Sequence, residues 1–228
     1  MVDSNPVLQE KLNKAWKFFF GRGFVDGFGH ISARTSDPDR ILMTPHDLTQ
    51  DSRPDQFVEI DLDGNQFGRS AKLPSELPIH TEVYKARPDV GAIAHFHCHY
   101  PTSFSMSEHE LKPSYFLASI FHDGIPVHPD ARLIKTEERG KAMVETLGNH
   151  RAMLLRAHGI VVTGPSIEEM TAGVFIMEDN AKRTQIAASM GKFDILSEDE
   201  IAEIQPELMG NPGPIWRIWT LVESEAAD

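Results

Sequence analysis

The stretch VGAIAHFH, residues 90–97, limits the fold more than any other part of the chain. Its apolar run is continuous instead of alternating, so it reads as a strand buried inside a layered domain. The run ends on His95 and His97. Side chains two apart in a strand point to the same face, with Cα atoms roughly 6.5–7 Å apart. His99 continues the alternation, but Pro101 cannot donate to a strand ladder, which places the strand end near it. His99 is then expected to start the next helix, and Cys98, on the opposite face, to serve in packing.

Around this strand the pattern mixes helices and strands. NPVLQEKLNKAWKFFFGRG predicts a helix with Asn5 as cap, Pro6 at the first helical position and Gly21 or Gly23 at its end. GHISAR, RILMTP and FVEIDLDGNQFG predict short strands, the last folded back on itself at the DGN turn. PSELPIHTEVYKARPDV predicts a helix capped by Ser75, with Pro78 in the first turn where its missing N–H does no harm. A helix over TEERGKAMVETLG precedes RAMLLRAHGIVVTG, one or two strands interrupted at His158-Gly159. Ser166 with Glu169 and Ser197 with Glu200 have the spacing of capping boxes, one ahead of a long helix ending near Gly191, the other ahead of a shorter acidic helix. A Trp-containing tail follows. Hairpins beside crossovers predict a layered α/β domain without a purely parallel sheet. We read residues 1–228 as one domain.

Composition excludes several function classes. The formal net charge is -12, from 22 Lys+Arg against 34 Asp+Glu, and nucleic-acid binding needs a basic footprint. No run approaches the roughly 20 apolar residues of a membrane helix. The N-terminal MVDSNPVLQEK has neither the basic start nor the apolar run of a signal peptide, so a cytoplasmic location is expected. No G-x-G-x-x-G or G-K-[ST] follows a strand, which argues against nucleotide binding through those motifs. With one cysteine, Cys98, neither an internal disulfide nor a Cys-based zinc ribbon can form. A metal site must be built from carboxylates and the 11 histidines.

An HxH pair at a strand end can place two imidazoles on one cation. By itself it is as compatible with histidines that alternate by accident. Two further residues favour the metal: Glu76 at the start of a helix just before that strand, and His158 at a strand break where Gly159 allows a sharp turn. Either also has a plain structural reading, Glu76 as a first-turn acid on the helix dipole and His158 as a turn residue. Three neutral imidazoles and a carboxylate suit Zn, Mn, Fe or Co, with a position open for substrate.

GHISAR, PSELPIHTEVYKARPDVGAIAHFHCHYP and LLRAHGIVVTG, in this order, resemble the class II aldolase/adducin family over about residues 8–190. The resemblance implies a three-layer α/β/α domain around a mixed, mostly antiparallel sheet. It also implies one divalent transition metal per subunit on His95, His97 and His158, with Glu76 as metal ligand or acid/base. A homotetramer with active sites between subunits is implied too. The tail from about residue 208, with GPIWRIWTL, would then contact a neighbouring subunit, unless Trp216 and Trp219 pack on their own.

Sugar-phosphate members of that family hold phosphate with Gly-Asn, Thr-Gly and Ser-Ser pairs; here the matching residues are Gly29-His30, Thr44-Pro45 and Pro74-Ser75. The two prolines remove N–H donors that would bind a dianion. His30 instead resembles a branch containing decarboxylases of hydroxylated pyridine or phthalate dicarboxylates. The expected function is therefore a metal-dependent lyase, using Mn2+ or Zn2+ (or Fe2+ or Co2+), that decarboxylates a small hydroxylated aromatic or heteroaromatic carboxylate through an enolate-like intermediate. Glu76 and His30 are the expected catalytic residues, and His30, Arg34, Thr44 and Ser75 the expected contacts to a small anionic substrate. For Arg34 a structural ion pair is the competing role. The alternatives are an aldolase, epimerase or dehydratase on a small hydroxy-carbonyl compound, and a non-catalytic adducin-like interaction module.

Overall fold

The computed structural model describes residues 5–25, 27–210 and 213–226. Eight strands form one sheet: β1 (His30–Arg34), β2 (Arg40–Met43), β3 (Val58–Asp61), β4 (Gln66–Phe67), β5 (Ala92–Phe96), β6 (Val127–His128), β7 (Ala152–Leu155) and β8 (Gly159–Gly164). Their order is β4-β3-β2-β1-β5-β8-β7-β6. Every neighbouring pair is antiparallel except β6 with β7, so the sheet is mixed and mostly antiparallel.

The helices are α1 (Asn5–Gly21), α2 (Pro78–Ala86), α3 (His99–Phe104), α4 (Glu137–Leu147), α5 (Ile167–Ser189), α6 (Glu198–Gly210) and α7 (Gly213–Glu225). They cover both faces of the sheet, and strand alternation decides which residue meets which face. Along β5, Ala92, Ala94 and Phe96 join a core with Trp16 and Phe19 of α1 and Met170 and Val174 of α5. Ile93 lies in a second core with Ile79 and Val83 of α2 and Met143 and Leu147 of α4. The continuous apolar run of β5 thus has a partner layer on each side.

The ends of the helices follow local chemistry. Ser166 Oγ accepts from the Glu169 N–H at 3.2 Å, but the Glu169 carboxylate turns to Arg151, 3.1 Å away. Before α6 the box is reciprocal, with the Ser197 N–H donating to Glu200 at 2.8 Å and the Glu200 N–H donating to Ser197 Oγ at 3.2 Å. Asn5 differs from the expected cap: it is the first residue of α1, and its amide donates to Glu59 at 3.1 Å. Ser75 is also not a cap. Helix α2 starts at Pro78 after Leu77, with no side-chain cap, because residues 75–77 form a turn that serves the site described below.

The tail folds as α7 against α1 and α5, with Ile215, Ile218, Trp219 and Val222 buried. Glu223 pairs with Lys14 at 3.0 Å, and Arg22 donates to Glu225 at 3.1 Å. Trp219 therefore packs on its own chain, while Trp216 is half exposed. No helix among the described residues is long and apolar enough to cross a membrane.

Candidate metal centre

Three separate segments bring ligand-type side chains to one point on the α2/α4 side of the sheet. His95 is the last residue but one of β5, His97 directly follows the strand, His158 closes the turn between β7 and β8, and Glu76 sits in the turn before α2. One ligand atom from each lies within 4.8 Å of all the others. The approach of His158 depends on Gly159, where a Cβ would stand 2.3 Å from the Phe96 carbonyl oxygen. Ala157, just before it, takes a left-handed φ of 53°, a conformation that disfavours any residue with a side chain. Its N–H is anchored on Ser105 Oγ at 2.9 Å.

Hydrogen bonds orient the cluster. Because the Ile160 carbonyl only accepts, His95 Nδ1 must carry the proton in their 2.9 Å contact, leaving the Nε2 lone pair for the cluster. That Nε2 is buried with no hydrogen-bond partner among the described residues, as is His158 Nδ1. Glu76 is held by one oxygen, which accepts from the Ile134 N–H at 2.8 Å. Its other oxygen is 3.4 Å from His158 Nε2 and 3.8 Å from His95 Nε2. Burial alone would raise the Glu76 pKa, but contacts with His158, His95 and the Ile134 N–H together hold it at about 2. Burial, then the neighbouring His30, keeps His95 well below the ordinary histidine range. A carboxylate that stays ionised thus faces a His95 ring that burial keeps neutral. This donor set fits a divalent transition ion.

The cluster lies in a cavity of about 300 Å³ also lined by Phe28, Gly29, His30, His46, Ser75 and Leu133. None of the described lining residues is Lys or Arg. As hydrogen-bond donors the described lining offers an anionic ligand imidazoles, the Ser75 hydroxyl and backbone N–H groups. Phe28 stands at the rim, 66 % exposed, its ring 5.8 Å from that of His97. It is carried by a turn that needs glycine: Gly29 has φ +114°, and a Cβ there would lie 2.5 Å from the Phe96 ring.

Of the expected substrate residues, His30 and Ser75 reach this cavity and two do not. Thr44 is buried with its hydroxyl on the β1 backbone, accepting from the Ile31 N–H at 3.2 Å. Arg34 points along the same face of β1 as His30 but four residues further on, about 13 Å away by strand rise. Its guanidinium donates to the carbonyls of Val90 at 3.2 Å and Tyr84 at 2.9 Å and covers the Tyr84 ring. It is a structural clamp, made on carbonyls and not through the ion pair considered from sequence. His99 is exposed and begins α3, and Cys98 is buried. Phe28, His46 and Leu133 were not singled out by sequence, although an aromatic between two glycines beside the His30 motif is a readable signal.

Residues 10–184 match the family model described as Class II Aldolase and Adducin N-terminal domain. The chain belongs to this family. Among its class II aldolase/adducin relatives, 3,4-dihydroxyphthalate decarboxylase of Rhodococcus jostii (strain RHA1) is 29% identical over 86% of this chain and 87% of its own. The enzyme of the same name from Arthrobacter keyseri is 27% identical over 92% of this chain and 91% of its own. The fold also matches L-fuculose 1-phosphate aldolase from Glaciozyma antarctica PI12, with a TM-score of 0.85 and 20% identity over 96% of this chain and 90% of that one. As a class II aldolase-family protein with decarboxylases among its relatives, the chain is a lyase.

Proposed function

We propose that this lyase decarboxylates a small hydroxylated aromatic or heteroaromatic carboxylate, using a divalent transition metal held by His95, His97 and His158, with Glu76 as a further ligand when its free oxygen is not carrying the proton. Mn2+ and Zn2+ are the leading ions, and Fe2+ and Co2+ suit the same donors. The observation that carries the reading is the convergence of three imidazoles and one ionised carboxylate beneath an exposed aromatic ring. The relatives named as 3,4-dihydroxyphthalate decarboxylases support the choice of decarboxylation.

When bound, the metal supplies Lewis acidity toward the oxygens of an ortho-hydroxy carboxylate. The remaining work falls to the chain. Glu76, ionised and anchored through one oxygen on Ile134, can take the proton of the substrate hydroxyl on its other oxygen. It then returns that proton to the ring carbon bearing the carboxylate. Breaking the carbon–carbon bond releases CO2, and the electron pair restores the aromatic ring. The proton thus stays on one short path, which fits a single carboxylate held in place. His30 and Ser75 are placed to contact substrate oxygens.

Phe28 offers a flat apolar face to a planar substrate. Phe28→Ala should raise KM about tenfold, the scale of one well-placed aromatic contact, with Phe28→Tyr close to wild type. Steady-state kinetics on both variants checks this, and an unchanged KM in the alanine variant removes Phe28 from the substrate site.

The reading includes a cytoplasmic homotetramer whose neighbouring copy borders the cavity. An aldolase acting on a small hydroxy-carbonyl compound is the second reading, since the same Glu76 and metal donors could manage a retro-aldol cleavage. The cavity wall carries Pro74, which has no N–H to offer a phosphate, and this disfavours it. CO2 release across ortho-hydroxy aromatic dicarboxylates, beside retro-aldol assays on sugar phosphates, separates the two. Release from at least one of the former is expected; turnover of the latter alone would reject decarboxylation.

A further inference from the structure

A second line of polar groups runs from the cavity into the α2/α4 core. His30 Nδ1 lies 2.7 Å from His80 Nε2, His80 Nδ1 lies 2.6 Å from Ser32 Oγ, and Ser32 Oγ lies 2.9 Å from the Tyr84 hydroxyl. All four side chains are buried, Ser32 and His80 completely. The spacing is built into two elements. His80 and Tyr84 are four apart on one face of α2, and His30 and Ser32 are two apart on one face of β1, so each pair steps by about 6–7 Å and the two rows meet.

Such a row has one proton per link, and only one direction strands no donor inside it. If His30 Nδ1 donated toward His80, then His80 would donate to Ser32 and Ser32 to Tyr84. The Tyr84 O–H would then be stranded, because Ser32 is its only hydrogen-bond partner among the described residues. If His80 Nδ1 and Tyr84 both donated to Ser32, the serine proton would be stranded instead. A buried donor without an acceptor is the more expensive defect. In the remaining direction Tyr84 donates to Ser32, Ser32 to His80 Nδ1, and His80 Nε2 to His30 Nδ1; the one donor left, the His30 Nε2–H, belongs to a ring that lines the cavity. Burial keeps His30 and His80 below the ordinary histidine range, so both rings enter the row neutral.

We infer that Tyr84, Ser32 and His80 are positioning residues that fix His30 in the Nε2–H tautomer, making it a hydrogen-bond donor toward an oxygen of the substrate. With its proton on Nε2 and its Nδ1 lone pair used by His80, His30 has no free lone pair for a metal or for base catalysis. This agrees with its place outside the four-residue ligand cluster. The group it recognises is an acceptor, a carboxylate or phenolate oxygen. This last point rests on the decarboxylase reading above; the tautomer does not.

The test is a long-range proton–nitrogen NMR correlation on full-length protein carrying 15N-histidine and loaded with Zn2+, with His30 and His80 assigned from signals missing in His30→Gln and His80→Gln. Both rings are expected to show protonated Nε2 and bare Nδ1. In His80→Gln the glutamine amide can still donate to His30 Nδ1, so the His30 pattern should persist. In His80→Leu the fixed pattern should be lost and both His30 tautomers appear. Protonation of His30 on Nδ1 in the wild type, or an unchanged His30 pattern in a folded His80→Leu variant, would overturn the inference. The wild-type spectrum decides even if the leucine variant does not fold. No substrate is present, so a failure of the decarboxylation assay cannot be mistaken for a failure here.

Discussion

Glu76→Gln is expected to lower turnover by about 10²–10⁴-fold, the contribution of a positioned acid–base group, while the protein remains folded. The reason lies in how the two oxygens of Glu76 divide their work. One accepts from the Ile134 N–H, a bond that the glutamine carbonyl oxygen can keep, so the turn before α2 should hold. The other faces His158 and His95, and in the variant an NH2 group takes its place. That group can neither accept a substrate proton nor carry one back. It can donate to the bare Nε2 of His95, which would compete with a metal for the same lone pair. CO2 release measured beside circular dichroism and metal content decides the matter. A folded variant working within tenfold of wild type would exclude Glu76 as proton carrier.

Removing the metal is the second large effect. A strong chelator should abolish activity, and Mn2+ or Zn2+ should restore it. Reloading should also raise the melting temperature, since a ligand at 100 times its Kd stabilises the folded state by about 2.7 kcal/mol. The ligands come from positions 76, 95, 97 and 158, so the ion ties together segments far apart in the chain. His95→Ala should lose both responses, because its Nδ1–H bond to Ile160 presets the bare Nε2 that the ion would use. Elemental analysis, activity and thermal melts give three independent readings. Full activity after exhaustive chelation, with no metal left on the protein, would defeat the metal-dependent mechanism.

Much of this architecture was legible in the residues. The strand that delivers His95 and His97 at its end, the hairpin at DGN and the break at His158-Gly159 each carry their instruction locally, in apolar runs and turn residues. The convergence of Glu76 with three histidines is non-local, and was reached through motif resemblance. Side-chain direction was the part that sequence could not supply. Arg34 looks like a substrate cation beside His30, yet strand rise carries it to the far end of β1, where backbone carbonyls claim it. Thr44 could have faced the cavity, but it turned onto Ile31. Ser75 had the composition of a cap, but the turn that brings Glu76 to the Ile134 N–H moves the helix start to Pro78. His80 passed unnoticed because a histidine within an amphipathic helix gives no sign of what lies across from it on a strand not adjacent in sequence.

The two faces of the sheet carry different burdens. The side under α1 and α5 is an apolar core of Trp16, Phe19, Phe96, Met170 and Val174, while the reacting groups and the His80 row belong to the α2/α4 side. A single sheet in this way separates what must be conserved for chemistry from what must merely fill space. Laboratory evolution can therefore raise the thermal ceiling by repacking the first layer away from Phe96, whose ring meets the Gly29 turn, and alter substrate choice by recasting the second.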